Sequence, residues 1–268
     1  MLRLAGKRGG EPLEPADWEA YYRLGTHRLS KLGQRVFLAL PTNPRYMFCG
    51  APFAGFGSKL VKPFGYRPSR KNPHLCATCV ELSPPGGMNM QVGVLFADVR
   101  GFTTMAESLG PQEASGLLRR FYACAEDVLF PDALIDKLIG DEVMALYVPL
   151  LGRLPDPART MVEHAEGLLR AVGYGSSEGP FLDVGIGLDF GDAFVGNIGQ
   201  RSLYDFTAVG DVVNTASRLQ SQAAGGEVVM SGRVASSLAR PIGERTELAL
   251  KGKAEPVTAY RLRVGGGD

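Results

Sequence analysis

From residue 90 onward, the apolar positions change period several times, and each change marks an element. "VGVLFADV" (92–99) is a continuous apolar run of strand length, read as a buried strand. "TTMAESLGPQEASGLLRRFYACAEDVLF" (103–130) has helical spacing, with Thr104 and Glu107 placed as a capping box at its start. "ALIDKLI" (133–139) and "EVMALYV" (142–148) flank Gly140 and Asp141 and predict a hairpin. "ARTMVEHAEGLLRAVG" (158–173) predicts a helix, and "FLDVGIGLDFGDAFVGNI" (181–198) a second hairpin-like pair. "DVVNTASRLQSQA" (211–223) predicts a helix and "GEVVMS" (226–231) a short strand. After a "KGKAEP" turn, "VTAYRLRV" (257–264) is the last strand candidate. Such a sequence of elements predicts an α+β or α/β domain with an antiparallel component.

The first part of the chain reads differently. Asp17 to Leu40 carries Trp18, Tyr21, Tyr22, Leu29, Leu32, Val36, Phe37 and Leu40 at mostly helical spacing, interrupted by Gly25 and Gly33, which predicts one or two amphipathic helices. Residues 41–82 are irregular, with three of the four cysteines, and "SPPGGMN" (83–89) has the composition of a linker. The boundary is therefore placed near residue 88, giving an N-terminal module of residues 1–87 and a second domain of residues 88–268.

Charge sharpens that division. Residues 1–90 hold 13 Lys or Arg against 5 Asp or Glu, whereas the remainder holds 16 against 23, beneath a formal net charge of only +1 for all 268 residues. The basic part is suited to an acidic partner or to the acidic domain itself. No apolar run reaches the roughly 18 residues that span a bilayer. The first 15 residues lack an apolar core of signal-peptide length, so a cytoplasmic protein is expected.

Candidate chemistry begins with two carboxylates. Asp98 lies at the end of "VGVLFAD" and Asp141 on the hairpin tip, and carboxylates at two such ends can converge on a hard divalent cation. On these positions alone, a helix cap at Asp98 and a turn role for Asp141 explain the residues as well. The wider pattern shifts the balance. "LFADVRGFT", "DKLIGDEVMALY", "VGIGLDFGDAFVGNIG", "YDFTAVGDVVNTASRL" and "ELALKGKAEPVTAYRL" occur in that order. Together they resemble the catalytic domain of the class III nucleotide cyclases over roughly residues 90–264.

That resemblance implies the ferredoxin-like palm of the family and a site. Asp98 and Asp141 match the family's metal-binding aspartates, with the Val99 carbonyl as an added ligand, for two Mg²⁺ or Mn²⁺ ions. Phe102 and Thr103 match its phosphate-binding turn, a role that free N–H groups at a helix start can perform. Asn214 and Arg218, four residues apart on one helix face, match the residues that orient the ribose and stabilise charge on the α-phosphate. Lys251 matches the lysine of the terminal phosphates, with Lys253 as its alternative and a solvated turn lysine as the plain reading of either.

Base choice falls to Lys137 and Thr207. A lysine only donates, which suits adenine N1 and not the N1–H of guanine, and a Thr hydroxyl accepts from the adenine amine. Many adenylate cyclases carry Asp at the position of Thr207, a subclass carries Thr or Ser, and guanylate cyclases typically carry Glu in place of the lysine. The resemblance thus implies an adenylate cyclase that forms cyclic AMP from ATP. In the family, one site draws on two protomers, so a chain holding the full set implies a homodimer. A guanylate or mixed-specificity cyclase and a catalytically silent nucleotide-binding signalling module are the alternatives. A further one is a metal or redox sensor without cyclase output. No "GGDEF"-like hairpin points to a diguanylate cyclase.

In the N-terminal module, Cys76 and Cys79 form "CATC" and Cys49 stands in "YMFCG", with Tyr46 where a second C-x-x-C unit would begin. Zinc or an iron–sulfur cluster on Cys49, Cys76 and Cys79, completed by His74 or His27, is one expectation. A degenerate remnant with buried thiols is the other. Cys124, among apolar helical residues, is read as core. The basic run "KLVKPFGYRPSRK" (59–71) is read as a solvated face rather than as a nucleic-acid or acidic-lipid site.

Overall fold

The structure is a computed structural model. It describes residues 36–37, 39–40, 45–46, 49–69, 76–77, 86–130, 132–149, 156–200, 203–240 and 242–265. Most of the helix expected over 17–40, together with His27, His74 and Cys79, lies outside them. The chain forms two compact units: residues 91–148, 154–193 and 210–268 in one, and residues 1–90, 149–153 and 194–209 in the other.

The larger unit follows a β-α-α-β-β-α-β course. Strand β1 (Gly86–Val99) leads through helices α2 (Phe102–Leu109) and α3 (Pro111–Leu129) to β2 (Leu134–Ile139) and β3 (Glu142–Tyr147). Helix α4 (Pro157–Val172) then leads into β4 (Val184–Gln200). The strand order β2-β3-β1-β4 is the split βαβ arrangement of ferredoxin-like palms. The sheet continues through β6 (Glu227–Ser231), β8 (Val257–Arg263) and β7 (Glu244–Leu248). Helices α5 (Asp211–Ser221) and α6 (Gly232–Ser237) flank β6 in the chain. β3 is antiparallel to both β1 and β2, β4 runs parallel to β6, and β8 is antiparallel to β6 and β7.

The core is made by the inward positions of that sheet and the apolar stripes of α3 and α4. Leu95, Phe121, Leu129, Tyr147, Met161, Leu168, Ile186 and Leu188 are fully buried within it. α4 starts where the Asp156 side chain accepts from Arg159 N at 3.0 Å, and it ends at Gly173. The observed span agrees with the helix expected over 158–173.

Four expectations are corrected. The helix expected over 103–130 is two helices, because Pro111 has no N–H to continue the first and instead opens the second, with Gly110 at a φ of 82° between them. Thr104 is not a cap: α2 begins two residues earlier, with Gly101 at its N-cap position and no side-chain cap bond. The segment 181–198 is not a hairpin. β4 runs straight through Gly191 and Asp192, because residues 194–200 pair with Leu203–Val209 (β5), which overrides the local turn signal. Gly86–Asn89 are strand rather than linker, since the glycines serve a close backbone crossing: a Cβ at Gly87 would stand 2.2 Å from Val195 O.

In the smaller unit, helix α1 (Gly55–Val61) and a 3₁₀ turn (Lys62–Phe64) were not anticipated. The buried Arg45 side chain gathers the Phe37, Leu40 and Gly50 carbonyls. Among the described residues, no helix is long and apolar enough to cross a membrane.

A polar pair of one fully and one partly buried residue predicts a pH dependence for the larger unit. The fully buried Tyr147 hydroxyl lies 3.0 Å from His164 Nδ1, and His164 Nε2 faces Asp132 at 3.7 Å. Burial holds the His164 imidazole below the ordinary histidine range against the opposing pull of Asp132 and Glu163, and burial first and Asp132 second push the Tyr147 hydroxyl well above its own range. The unfolded chain therefore takes up this proton more readily. Stability is full above the ordinary histidine range and falls as pH drops through it. Thermal melts between about pH 8 and about pH 5.5 should show the decline, and His164→Gln should flatten it. An unchanged slope in the variant would refute the assignment.

Candidate functional site

At the end of β1, Asp98 pairs in register with Glu142 at the start of β3. The hairpin tip is tied to the same place, because Val99 N donates to the Asp141 carbonyl at 3.3 Å. Gly140 turns the hairpin with a φ of 62°, and the Tyr122 hydroxyl of α3 donates to its carbonyl. Asp98 and Asp141, distant in sequence, are therefore neighbours at one end of the sheet.

The electrostatics there centre on Arg100. Its guanidinium pairs with Asp98, and its backbone N–H donates to Asp183 O at 2.7 Å. Burial lowers the Arg100 pKa, opposed by the charges of Asp141 and Glu142. The Glu142 carboxyl is pushed up, by burial first and by Asp141 second, with Arg100 pulling it back. Acidic charge thus exceeds the one arginine's compensation. Arg100 was not singled out from sequence, although it stands inside "LFADVRGFT".

The donor set suits a hard divalent cation. Two half-buried carboxylates and a backbone carbonyl would offer oxygen ligands, and Mg²⁺ commonly retains water at its other positions. Among the described residues, no three His, Cys, Asp or Glu side chains gather as a metal site. An ion here would therefore need ligands beyond the protein's carboxylates, as a nucleotide triphosphate provides.

Phe102 and Thr103 open α2, whose first turn has no side-chain cap, so its N–H groups remain open to an anion. Lys137 is half-buried on β2 beside a register shift, its Nζ 3.5 Å from Asp136 Oδ2. Thr207 is buried in β5 of the smaller unit, paired in register with Gly196.

A second group forms around α5. Asn214 is exposed and Arg218 half-buried on this helix. A Cβ built on Gly252 would lie 3.3 Å from the Arg218 guanidinium, so Arg218 rests on the loop that carries Lys251 and Lys253. Lys251 is exposed, whereas Lys253 reaches both carboxylate oxygens of Asp211 at 2.6 Å. Sequence reasoning missed Asp211 as that partner.

In the smaller unit, Cys49 and Cys76 are buried, and Cys79 lies outside the described residues. Tyr46 occupies a tight turn, with Gly50 N donating to its carbonyl at 2.9 Å.

Residues 87–263 match the family model described as the adenylate and guanylate cyclase catalytic domain. The chain belongs to this class III nucleotide cyclase family. It is 29% identical over 208 residues to an adenylate cyclase of Anabaena cylindrica, an alignment covering 68% of this chain and 40% of that protein. Among solved structures, the guanylyl cyclase Cya2 aligns with a TM-score of 0.59 and 27% identity, over 69% of this chain and 96% of that one. The adenylyl cyclase CyaB from P. aeruginosa aligns with a TM-score of 0.57 and 26% identity, over 69% and 98%. The cyclase-family chain therefore has the expected palm, and its similar structures include both nucleotide specificities.

Proposed function

We propose that this cyclase-family chain is an adenylate cyclase, converting ATP to 3′,5′-cyclic AMP and pyrophosphate as a homodimer, with residues 88–268 as catalytic domain and residues 1–87 as a module that tunes it. The observation carrying this reading is the joining of Asp98 and Asp141 at one end of the sheet by the Val99 to Asp141 backbone bond.

In the reaction, the ribose 3′ oxygen bonds to the α-phosphorus. The bond from that phosphorus to the oxygen bridging to the β-phosphate breaks, pyrophosphate leaves with the electron pair, and the hydroxyl proton passes to solvent. Asp98, Asp141 and the Val99 carbonyl would hold Mg²⁺ or Mn²⁺, which when bound supplies Lewis-acid activation of the hydroxyl and neutralises the phosphates. Asp98 in that role would be released from its pair with Arg100. Arg218, always charged and planar, donates to the α-phosphate oxygens as their charge grows. Asn214 orients the ribose, and Lys251 with the open N–H groups at Phe102 and Thr103 receives the terminal phosphates.

Lys137 donates to adenine N1 and Thr207 accepts from the amine. Mixed specificity is the second reading, because a hydroxyl both donates and accepts and the similar solved structures include a guanylyl cyclase. Purified protein with Mn²⁺ and either nucleotide should form cyclic AMP from ATP at least about 10-fold faster than cyclic GMP from GTP, the discrimination expected of roughly one well-placed hydrogen bond. Product from GTP alone would overturn the base assignment, and no product from either would favour a silent module.

A further inference from the structure

Lys251 and Lys253 both stand in the loop between β7 and β8, and the motif alone does not separate their roles. Lys253 is engaged elsewhere. Its ammonium sits 2.6 Å from each carboxylate oxygen of Asp211, the first residue of α5. That bond, foremost, holds the Asp211 carboxyl below the usual carboxylate range.

The pair also belongs to a longer chain of contacts. Asp211 Oδ2 lies 3.6 Å from Arg233 and receives the Thr215 hydroxyl at 3.4 Å. Arg233, in the first turn of α6, is anchored on Asp189, a fully buried residue of β4. Asp189 accepts from Arg233 Nε at 3.1 Å, from the Arg233 terminal nitrogen, from Ser231 Oγ at 2.6 Å and from Phe190 N at 2.8 Å. A buried carboxylate on the sheet thus fixes an arginine, the arginine flanks Asp211, and Asp211 fixes the loop. Two helical turns further along α5, Arg218 rests on Gly252. The loop is therefore held against α5 at two points, and Lys251 stands exposed beside the second.

We propose that Lys253 and Asp211 form a positioning lock: Lys253 is not a phosphate ligand but sets the loop, and with it Lys251 and Arg218, for the triphosphate. This rests on the cyclase reading above. A lysine bonded to both oxygens of a carboxylate could turn to phosphate only by leaving that carboxylate to Arg233 and Thr215 and giving up one of the loop's two holds on α5.

The test uses the full chain with Lys253→Met, Asp211→Asn, the double variant and Lys253→Arg. Each of the first two should lower kcat about 10-fold with KM for ATP little changed, since the loss is one of placement. The double variant should lose no more than the worse single, because both remove one interaction. Lys253→Arg, which still reaches Asp211, should recover most of the rate. A rise in KM for Lys253→Met with kcat intact, an unaffected Asp211→Asn, or losses that multiply in the double variant would each overturn the lock.

Hydrogen exchange without nucleotide separates this from failure of the cyclase reading. The amide of Lys253, which donates to Leu250 O at 3.0 Å, should exchange faster in Lys253→Met and in Asp211→Asn whether or not the protein turns over. Faster exchange with no wild-type turnover would leave the lock standing and sink the function, whereas unchanged exchange would sink the lock.

Discussion

Asp98→Asn and Asp141→Asn should each reduce cyclic AMP formation by ~10³-fold or more, equivalent to about 4 kcal/mol of transition-state stabilisation, while the folded domain persists. Neither substitution removes a contact on which the fold depends. Asp98 is half-buried at the strand end, and Asn matches its shape and keeps the β1 to β3 register with Glu142. Asp141 holds the hairpin tip through its backbone carbonyl, which receives Val99 N in wild type and variant alike. The change is one of charge. Losing either carboxylate tips the balance around Arg100 away from the excess acid that attracts a divalent cation. Product assays with Mn²⁺ and Mg²⁺, run beside thermal melts, make the comparison. A melting temperature within a few degrees of wild type together with lost turnover is the expected pair. Turnover within 10-fold of wild type would refute the metal role.

What could be read from the amino acids depended on how far apart in the chain the interacting groups stand. The hairpin of β2 and β3 and the helix α4 were legible because their signals are local: a Gly-Asp turn between apolar runs, and an unbroken helical stripe over 158–173. The break between α2 and α3 was missed although Pro111 announces it, because the apolar stripe continues on both sides. Strand β7 was missed because it is an edge strand with mostly exposed polar positions, which leaves little apolar alternation. β4 was misread because Gly191 and Asp192 imitate a turn, whereas the pairing that keeps the strand extended is made with a later segment.

The site divides in the same way. Asp98, Asp141, Asn214, Arg218 and Lys251 were singled out from short motifs, and the structure gathers the first two at one end of the sheet and the last three around α5. The supporting residues were not legible. Lys253 finds Asp211, and Arg233 finds Asp189, across more than forty residues of chain, and no local pattern marks either pair. Arg100 escaped notice because an arginine between two aspartate-bearing segments reads as a surface charge until the fold places it on Asp98.

Gly187→Val should cost both stability and rate, and it tests whether the sheet sets the position of α5. A Cβ on Gly187 would stand 2.2 Å from Gln220 N and 2.3 Å from Ala216 O, so the backbone of α5 lies directly on β4 there. Gly185 meets the helix end in the same way, with Ala223 O at 2.9 Å. The space is bounded by backbone, which cannot rotate aside as a side chain would. Any larger residue must push the helix off the sheet. Overpacking of this kind costs about 1 to 3 kcal/mol. The rate should fall further than stability alone explains. Asn214 and Arg218 ride on the displaced helix, and a shift of about 1 Å in a catalytic group is enough for a ~10²-fold loss. Well below the melting temperature, where nearly all molecules are folded, kcat should therefore still be down by about that factor. Gly187→Ala, with a smaller Cβ load, should fall between wild type and Gly187→Val on both measures. Full activity in folded Gly187→Val would show that α5 is set by the loop it holds through Asp211 and Arg218 rather than by the strand beneath it.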